Sequence, residues 1–161
     1  MGSLMKSNQL KIEVRVKKLA HYSQGQKLPQ YQTNSASGCD ACACLSVPLV
    51  LKPGERSLIP TGLAFEIPIG FEIQVRPRSG LAIQKGLTLL NTPGTIDADY
   101  RGEVKIIVIN LGDKDITVQN GERIAQFVLA PVIQAEFVVN DDLSETARGA
   151  GGFGSTGLVT N

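Results

Sequence analysis

Asn91–Glu103, NTPGTIDADYRGE, decides how this chain reads. Pro93-Gly94 supplies a chain reversal, and Thr95-Ile96 starts extended structure. Asp97 and Asp99 then alternate with Ala98 and Tyr100, before Arg101-Gly102-Glu103 and the apolar run Val104–Ile109. A hairpin under purely structural demand would take threonines or lysines here. Carboxylates beside an aromatic ring and a cation suit a general base, or a metal environment, held by a rigid sheet. A solvated hairpin tip is the plain alternative, and this stretch alone does not choose between them.

Strand signals recur outward in both directions. Lys11–Lys18 alternates, with Ile12, Val14 and Val16 on one face. The polar run Ser23–Ser37 reads as a loop, and Gly38–Leu45 as a short strand. Leu49–Leu51, Ser57–Ile59, Leu63–Ile67 and Phe71–Arg76 follow, separated by Pro and Gly turns. Glu103–Asn110, Ile116–Val118, Arg123–Ala130 and Glu136–Val139 complete the set, with Asn120-Gly121 a strong turn. The pattern predicts an all-β barrel or sandwich. One short helix interrupts it: Ser79 is placed to cap Gly80–Lys85, and Gly86 to stop it. Arg76 and Arg78 around Pro77 then stand at a helix start, where free amides, a hydroxyl and guanidiniums make a polyanion cradle. Two solvated arginines before a capped helix are the plain alternative.

A length of 161 residues fits one domain with a real core. The formal charge of +1 gives no global attraction to nucleic acid, and no apolar run is long enough to span a membrane. The N-terminus shows no secretory pattern, so a cytoplasmic setting is expected. Cys39, Cys42 and Cys44 are too few and too crowded for a disulfide framework. A zinc site lacks a fourth ligand, and His21 has no visible partner in the sequence, so packing is the expected use of these thiols. The tail Arg148–Gly157, RGAGGFGSTG, has five glycines but also an arginine and a phenylalanine. A plain linker needs neither, whereas an arm closing over a ligand uses both.

Taken together, these segments resemble the homotrimeric dUTPases along nearly the whole chain. SGCDA (37–41), RPRSG (76–80), NTPGTIDADYRGEVK (91–105), GERIAQ (121–126) and RGAGGFGSTG (148–157) are similar to the family's five motifs, in order. The departure lies in the first, where Cys39 replaces the usual aromatic and Ala41 the usual leucine. The resemblance implies an all-β distorted jelly-roll or β-barrel domain over 1–147, with one short helix, and a flexible, mobile Gly-rich arm over 148–161. It implies hydrolysis of dUTP to dUMP and pyrophosphate, which limits uracil in DNA and supplies dUMP for dTMP synthesis. Asp97 would deprotonate the water attacking the α-phosphorus, and Tyr100 would pack on the deoxyribose and leave no room for a 2′-hydroxyl. Asn91 with the hairpin backbone at Gly94, Thr95 and Ile96 would meet the uracil edge. Arg78, Ser79 and Gly80 would hold phosphates from a neighbouring subunit, assisted by Gln126, with Lys105 along the sugar. Arg148 would grip the terminal phosphate, Phe153 would cover the base, and Gly154 and Ser155 would line the closed arm.

Magnesium, Mg2+, would bridge the triphosphate oxygens, with Asp40 touching metal-bound water. Asp99 and Glu103 would be structural, pairing with Arg101 or another arginine. The implied partners are dUTP and two further copies of the chain, with no nucleic acid and no membrane. A dCTP deaminase of the same fold needs a glutamate in the strand after the third motif, where Ile107 stands here. A nucleotide-binding regulatory module would have no need of Asp97.

Overall fold

A computed structural model describes residues 11–152. Its strands in chain order are β1 (Arg15–Lys18), β2 (Cys39–Cys42), β3 (Leu49–Leu51), β4 (Arg56–Pro60), β5 (Leu63–Glu66) and β6 (Phe71–Arg76). The helix α1 (Ser79–Lys85) follows, then β7 (Leu87–Leu89), β8 (Gly94–Ile96), β9 (Lys105–Asn110), β10 (Ile116–Val118) and β11 (Arg123–Pro131). Every pairing is antiparallel. The strand orders are β1-β5, β3-β10, β2-β11-β6-β8 and β4-β9-β7, four sheets rather than one closed barrel. The expected distorted all-β fold with one short helix is what forms.

Alternation in the sequence becomes burial in the core. Ile73 and Val75 of β6 and Ile106 and Val108 of β9 are buried, together with Val104 just ahead of β9. Phe65 and Phe127 meet edge to face with ring centroids 5.4 Å apart, bridging β5 to β11. Asn110, at the end of β9, is fully buried and fully satisfied. Its Nδ2 donates to Leu51 O (2.9 Å) and Lys114 O (2.8 Å), while its Oδ1 accepts from Gly112 N (2.9 Å). One amide therefore joins β3, β9 and the loop before β10.

The departures from sequence have local causes. Only Arg15–Lys18 of the first alternating run finds a partner, β5, and Val16 remains 37% exposed. The run Glu136–Val139 is rich in strand formers but pairs with no strand among the described residues, and Phe137 is 94% exposed. Strand propensity marks a capacity for pairing, and the ladder needs a neighbour. The strand β7 was not read from the sequence. Ser79 does not cap α1: the helix begins at Ser79 itself, and Arg78 takes the extended capping position with no side-chain bond. Gly86 does stop the helix, at φ 72°, with its N–H donating to Ala82 O. A Cβ there would run into the backbone of Gly112. His21 does have a partner: its Nε2 lies 2.8 Å from Glu103 Oε1. The cysteines are free, and burial pushes the Cys39 and Cys42 thiols above their ordinary value.

The site is positioned by a divided hairpin. β7 and β9 pair (Leu89↔Val108), and the connection 90–104 leaves their sheet. Within it β8 crosses to pair with β6, in the register Val75↔Gly94 and Ile73↔Ile96. Gly94 is buried there; a Cβ would stand 3.3 Å from Asn91 Nδ2 and 3.4 Å from Val75.

Asn110→Ala would strand the carbonyls of Leu51 and Lys114 and the amide of Gly112. A loss of about 3 kcal/mol in unfolding free energy is expected, measured by urea denaturation against the parent.

Candidate active site

Asp97 follows β8, and Tyr100 lies one turn on, with Tyr100 N donating to Asp97 O (3.2 Å). Both line a cavity of about 390 Å³ together with Thr95, Ile96 and Lys105, which the sequence also singled out, and with Leu58, Glu103 and Val104. Asp97 is exposed, as a residue that must meet water needs to be. The Tyr100 hydroxyl donates to Glu103 O at 3.0 Å. Gly102 makes room for it, since a Cβ there would lie 2.5 Å from the hydroxyl oxygen. Glu103 does not pair with Arg101. Arg101 Nη1 instead donates to Ala98 O (2.6 Å) and Tyr100 O (3.1 Å), bracing the turn from inside.

A second cluster lies elsewhere. Arg78 Nε is 3.3 Å from Asp40 Oδ1, and Arg78 Nη1 donates to Arg123 O at 2.9 Å. Arg123 Nη1 donates to Asp40 Oδ2 at 3.2 Å, and Gln32 Nε2 donates to the same oxygen at 2.9 Å. Asp40 thus spends both oxygens inside the protein, and a role at metal-bound water would require one donor to give way. Gln126 sits between β2 and β6, paired in register with Asp40 and Arg76, and its Nε2 donates to Pro77 O at 2.9 Å. That bond fixes the segment leading into α1, whose first residues Ser79 and Gly80 are exposed. Arg123 was missed by the sequence reading, although it belongs to the GERIAQ stretch that flagged Gln126.

The two clusters do not converge within one chain. From Val75↔Gly94, β6 runs on to Arg78 while β8 runs the opposite way to Asp97. At ~3.3 Å per residue the two side chains end up to roughly 20 Å apart. Asn91 is exposed beside Gly94, at the Arg78 end of the ladder, and does not line the Asp97 cavity. Arg148 is exposed and its Nε donates to Gly151 O at 2.7 Å, within a turn of its own segment. Phe153, Gly154 and Ser155 lie outside the described residues. Among the described residues no three His, Cys, Asp or Glu side chains gather in a metal-binding group. Ile107 stands opposite Leu58 on β9, which carries no carboxylate for a deaminase.

An all-β chain with an exposed carboxylate at a strand end beside a cavity, and an arginine cluster before a helix, is built like a nucleotide-hydrolysing protein. A family model described as dUTPase matches residues 24–157. The chain is 65% identical over 147 residues to the deoxyuridine 5'-triphosphate nucleotidohydrolase of Bdellovibrio bacteriovorus, covering 91% of this chain and 97% of that one. It is 60% identical over 131 residues to the enzyme of the same name from Desulfotalea psychrophila, covering 81% and 87%. A solved dUTPase of Staphylococcus bacteriophage 80alpha, with dUPNHPP, superposes with a TM-score of 0.80 at 27% identity, over 92% of this chain and 100% of that one. The chain belongs to the dUTPase family, and it is an enzyme that hydrolyses dUTP.

The placement of Gln126 depends on Gly38, where a Cβ would come within 2.5 Å of Gln126 Oε1. Gly38→Ala is therefore expected to displace the amide from Pro77 O and loosen the Arg78 loop. Steady-state kinetics should show kcat/KM for dUTP falling about 10-fold, with an unchanged circular-dichroism spectrum.

Proposed function

We propose that Asp97 is the general base, taking a proton from the water that attacks the α-phosphorus of dUTP and so releasing dUMP and pyrophosphate. The observation that carries this is the cavity in which Asp97 stands with Tyr100 and Lys105. The carboxylate is exposed to water and set by the end of a strand, and Tyr100 is three residues away to meet the sugar. Positioning and charge stabilisation do most of the work in such a reaction, so one base among many donors is a sufficient inventory. Arg78, Ser79, Gly80 and Gln126 hold phosphates. Asn91 and the backbone at Gly94, Thr95 and Ile96 read uracil, and Arg148, Phe153, Gly154 and Ser155 close the site as part of a mobile arm, 148–161, on the 1–147 domain.

The separation of Arg78 from Asp97 supports a site shared between copies of the chain, and we take the assembly to be a homotrimer. Large apolar side chains left open on this chain fit that reading, among them Ile133 at 94% and Val139 at 95% exposure. Magnesium enters with the substrate: the triphosphate oxygens suit Mg2+, whereas the described residues offer it no protein cage. The free thiols suit a reducing, cytoplasmic setting. No helix among the described residues is long and apolar enough to cross a membrane. In the cell the reaction limits uracil in DNA and supplies dUMP for dTMP synthesis.

Product analysis with magnesium, offering dUTP, dCTP, UTP and dTTP separately, should give pyrophosphate and dUMP from dUTP alone. Asp97→Asn should lower kcat by about 1,000-fold or more while nucleotide affinity stays nearly intact; a parallel loss of affinity would remove Asp97 from the role of base. Deleting residues 148–161 should collapse turnover with little change in melting temperature, because a tail outside the core contributes little to global stability. A large drop in melting temperature would make the tail structural.

A further inference from the structure

Glu103 carries more structure than a hairpin residue requires. Its carboxylate is only 13% exposed and meets donors from three separate segments. Gly62 N donates to Oε1 at 2.9 Å, His21 Nε2 reaches the same oxygen at 2.8 Å, and Lys105 Nζ lies 3.7 Å from Oε2. The segment that delivers His21 is itself fastened, by Leu19 N to Gly62 O (2.9 Å) and by the Cys44 thiol to His21 O (3.2 Å). Gly62 lies at φ 69°, and a Cβ there would press on Tyr22 and Cys44 at about 3 Å, so the donor amide is confined. A carboxylate so little exposed is ordinarily paired, and these partners fix it from several directions.

The backbone of the same residue holds the active-site ring. Glu103 O accepts the Tyr100 hydroxyl at 3.0 Å, and Gly102 clears the space between them. We propose that Glu103 is a positioning residue for sugar discrimination. Its carboxylate, latched by Gly62 and His21, holds its own carbonyl where it receives the Tyr100 hydroxyl, and so sets the ring against C2′ of the bound sugar. The inference rests on the reading of Tyr100 as the residue that excludes a 2′-hydroxyl. Exclusion by contact is sensitive to distance: a ring free to shift by about 1 Å admits an oxygen that a fixed ring rejects. A carboxylate that served only to close the hairpin would affect stability and leave selectivity alone.

The test compares kcat/KM for dUTP and UTP in the full-length protein, with the melting temperature recorded for each variant. Tyr100→Phe removes the hydroxyl bond alone and is expected to lower the dUTP/UTP ratio at least about 5-fold. Glu103→Ala should lower it by a similar factor, about 5-fold, and the double variant no further, since both act through one contact. Glu103→Gln keeps an oxygen for Gly62 N–H and should hold the ratio within about 3-fold of the parent. An unchanged ratio in Tyr100→Phe, or in a folded Glu103→Ala, overturns the proposal. Should Glu103→Ala fail to fold, Tyr100→Phe decides. Tyr100→Ala separates the two readings. If it collapses the ratio while Glu103→Ala does not, only the positioning role fails; if it too leaves the ratio unchanged, Tyr100 is not the sugar gate and both fall.

Discussion

The antiparallel pairing of β6 with β8 is the constraint on which the rest depends. Two strands that run in opposite directions from Val75↔Gly94 carry their C-terminal residues apart, so the arginine loop after β6 and the carboxylate after β8 face different ends of one ladder. No side-chain rotamer closes a gap of that size. The fold therefore sets the arginine cluster and the Asp97 cavity at opposite ends of the ladder. Any arrangement in which both serve one nucleotide brings in a second chain. Gly94 is buried in that ladder, where a Cβ would press closely on Asn91 Nδ2 and Val75.

Electrostatics divide along the same line. In the arginine cluster Asp40 neutralises part of the charge of Arg78 and Arg123, and its oxygens direct where the guanidiniums point. Two cations left to repel one another would spread and present a diffuse positive patch; tied to one carboxylate, they stand in fixed directions. The other cavity differs. Asp97 makes no ion pair among the described residues and stays open to solvent. One carboxylate orients cations, and the other stands free beside Tyr100 and Lys105.

Most of the fold was legible in sequence because its strands alternate cleanly between glycine and proline turns; Phe71–Arg76 and Ile116–Val118 fall where the pattern put them. The acidic hairpin and the ordered motifs made the Asp97, Tyr100 and Lys105 grouping legible too. What stayed hidden was long-range pairing. His21 lies 82 residues from Glu103, and nothing in its neighbourhood announces a partner. Arg123 looked like one surface cation among many until β2 and β11 placed it on Asp40. Glu136–Val139 failed in the other direction, since it is rich in strand-forming residues and pairs with no strand among the described residues.

That last failure and the divided site have one origin. Among the described residues of this chain, a strand-like segment has no ladder, the Phe137 ring has no cover, and the arginine cluster stands apart from Asp97. Each is incomplete in a way that another copy of the same sequence can complete, since the missing part exists in every copy. Active-site assembly and burial of the leftover apolar surface would then be one event. A monomer would be inactive because half of its site is absent, even with every local element correctly folded.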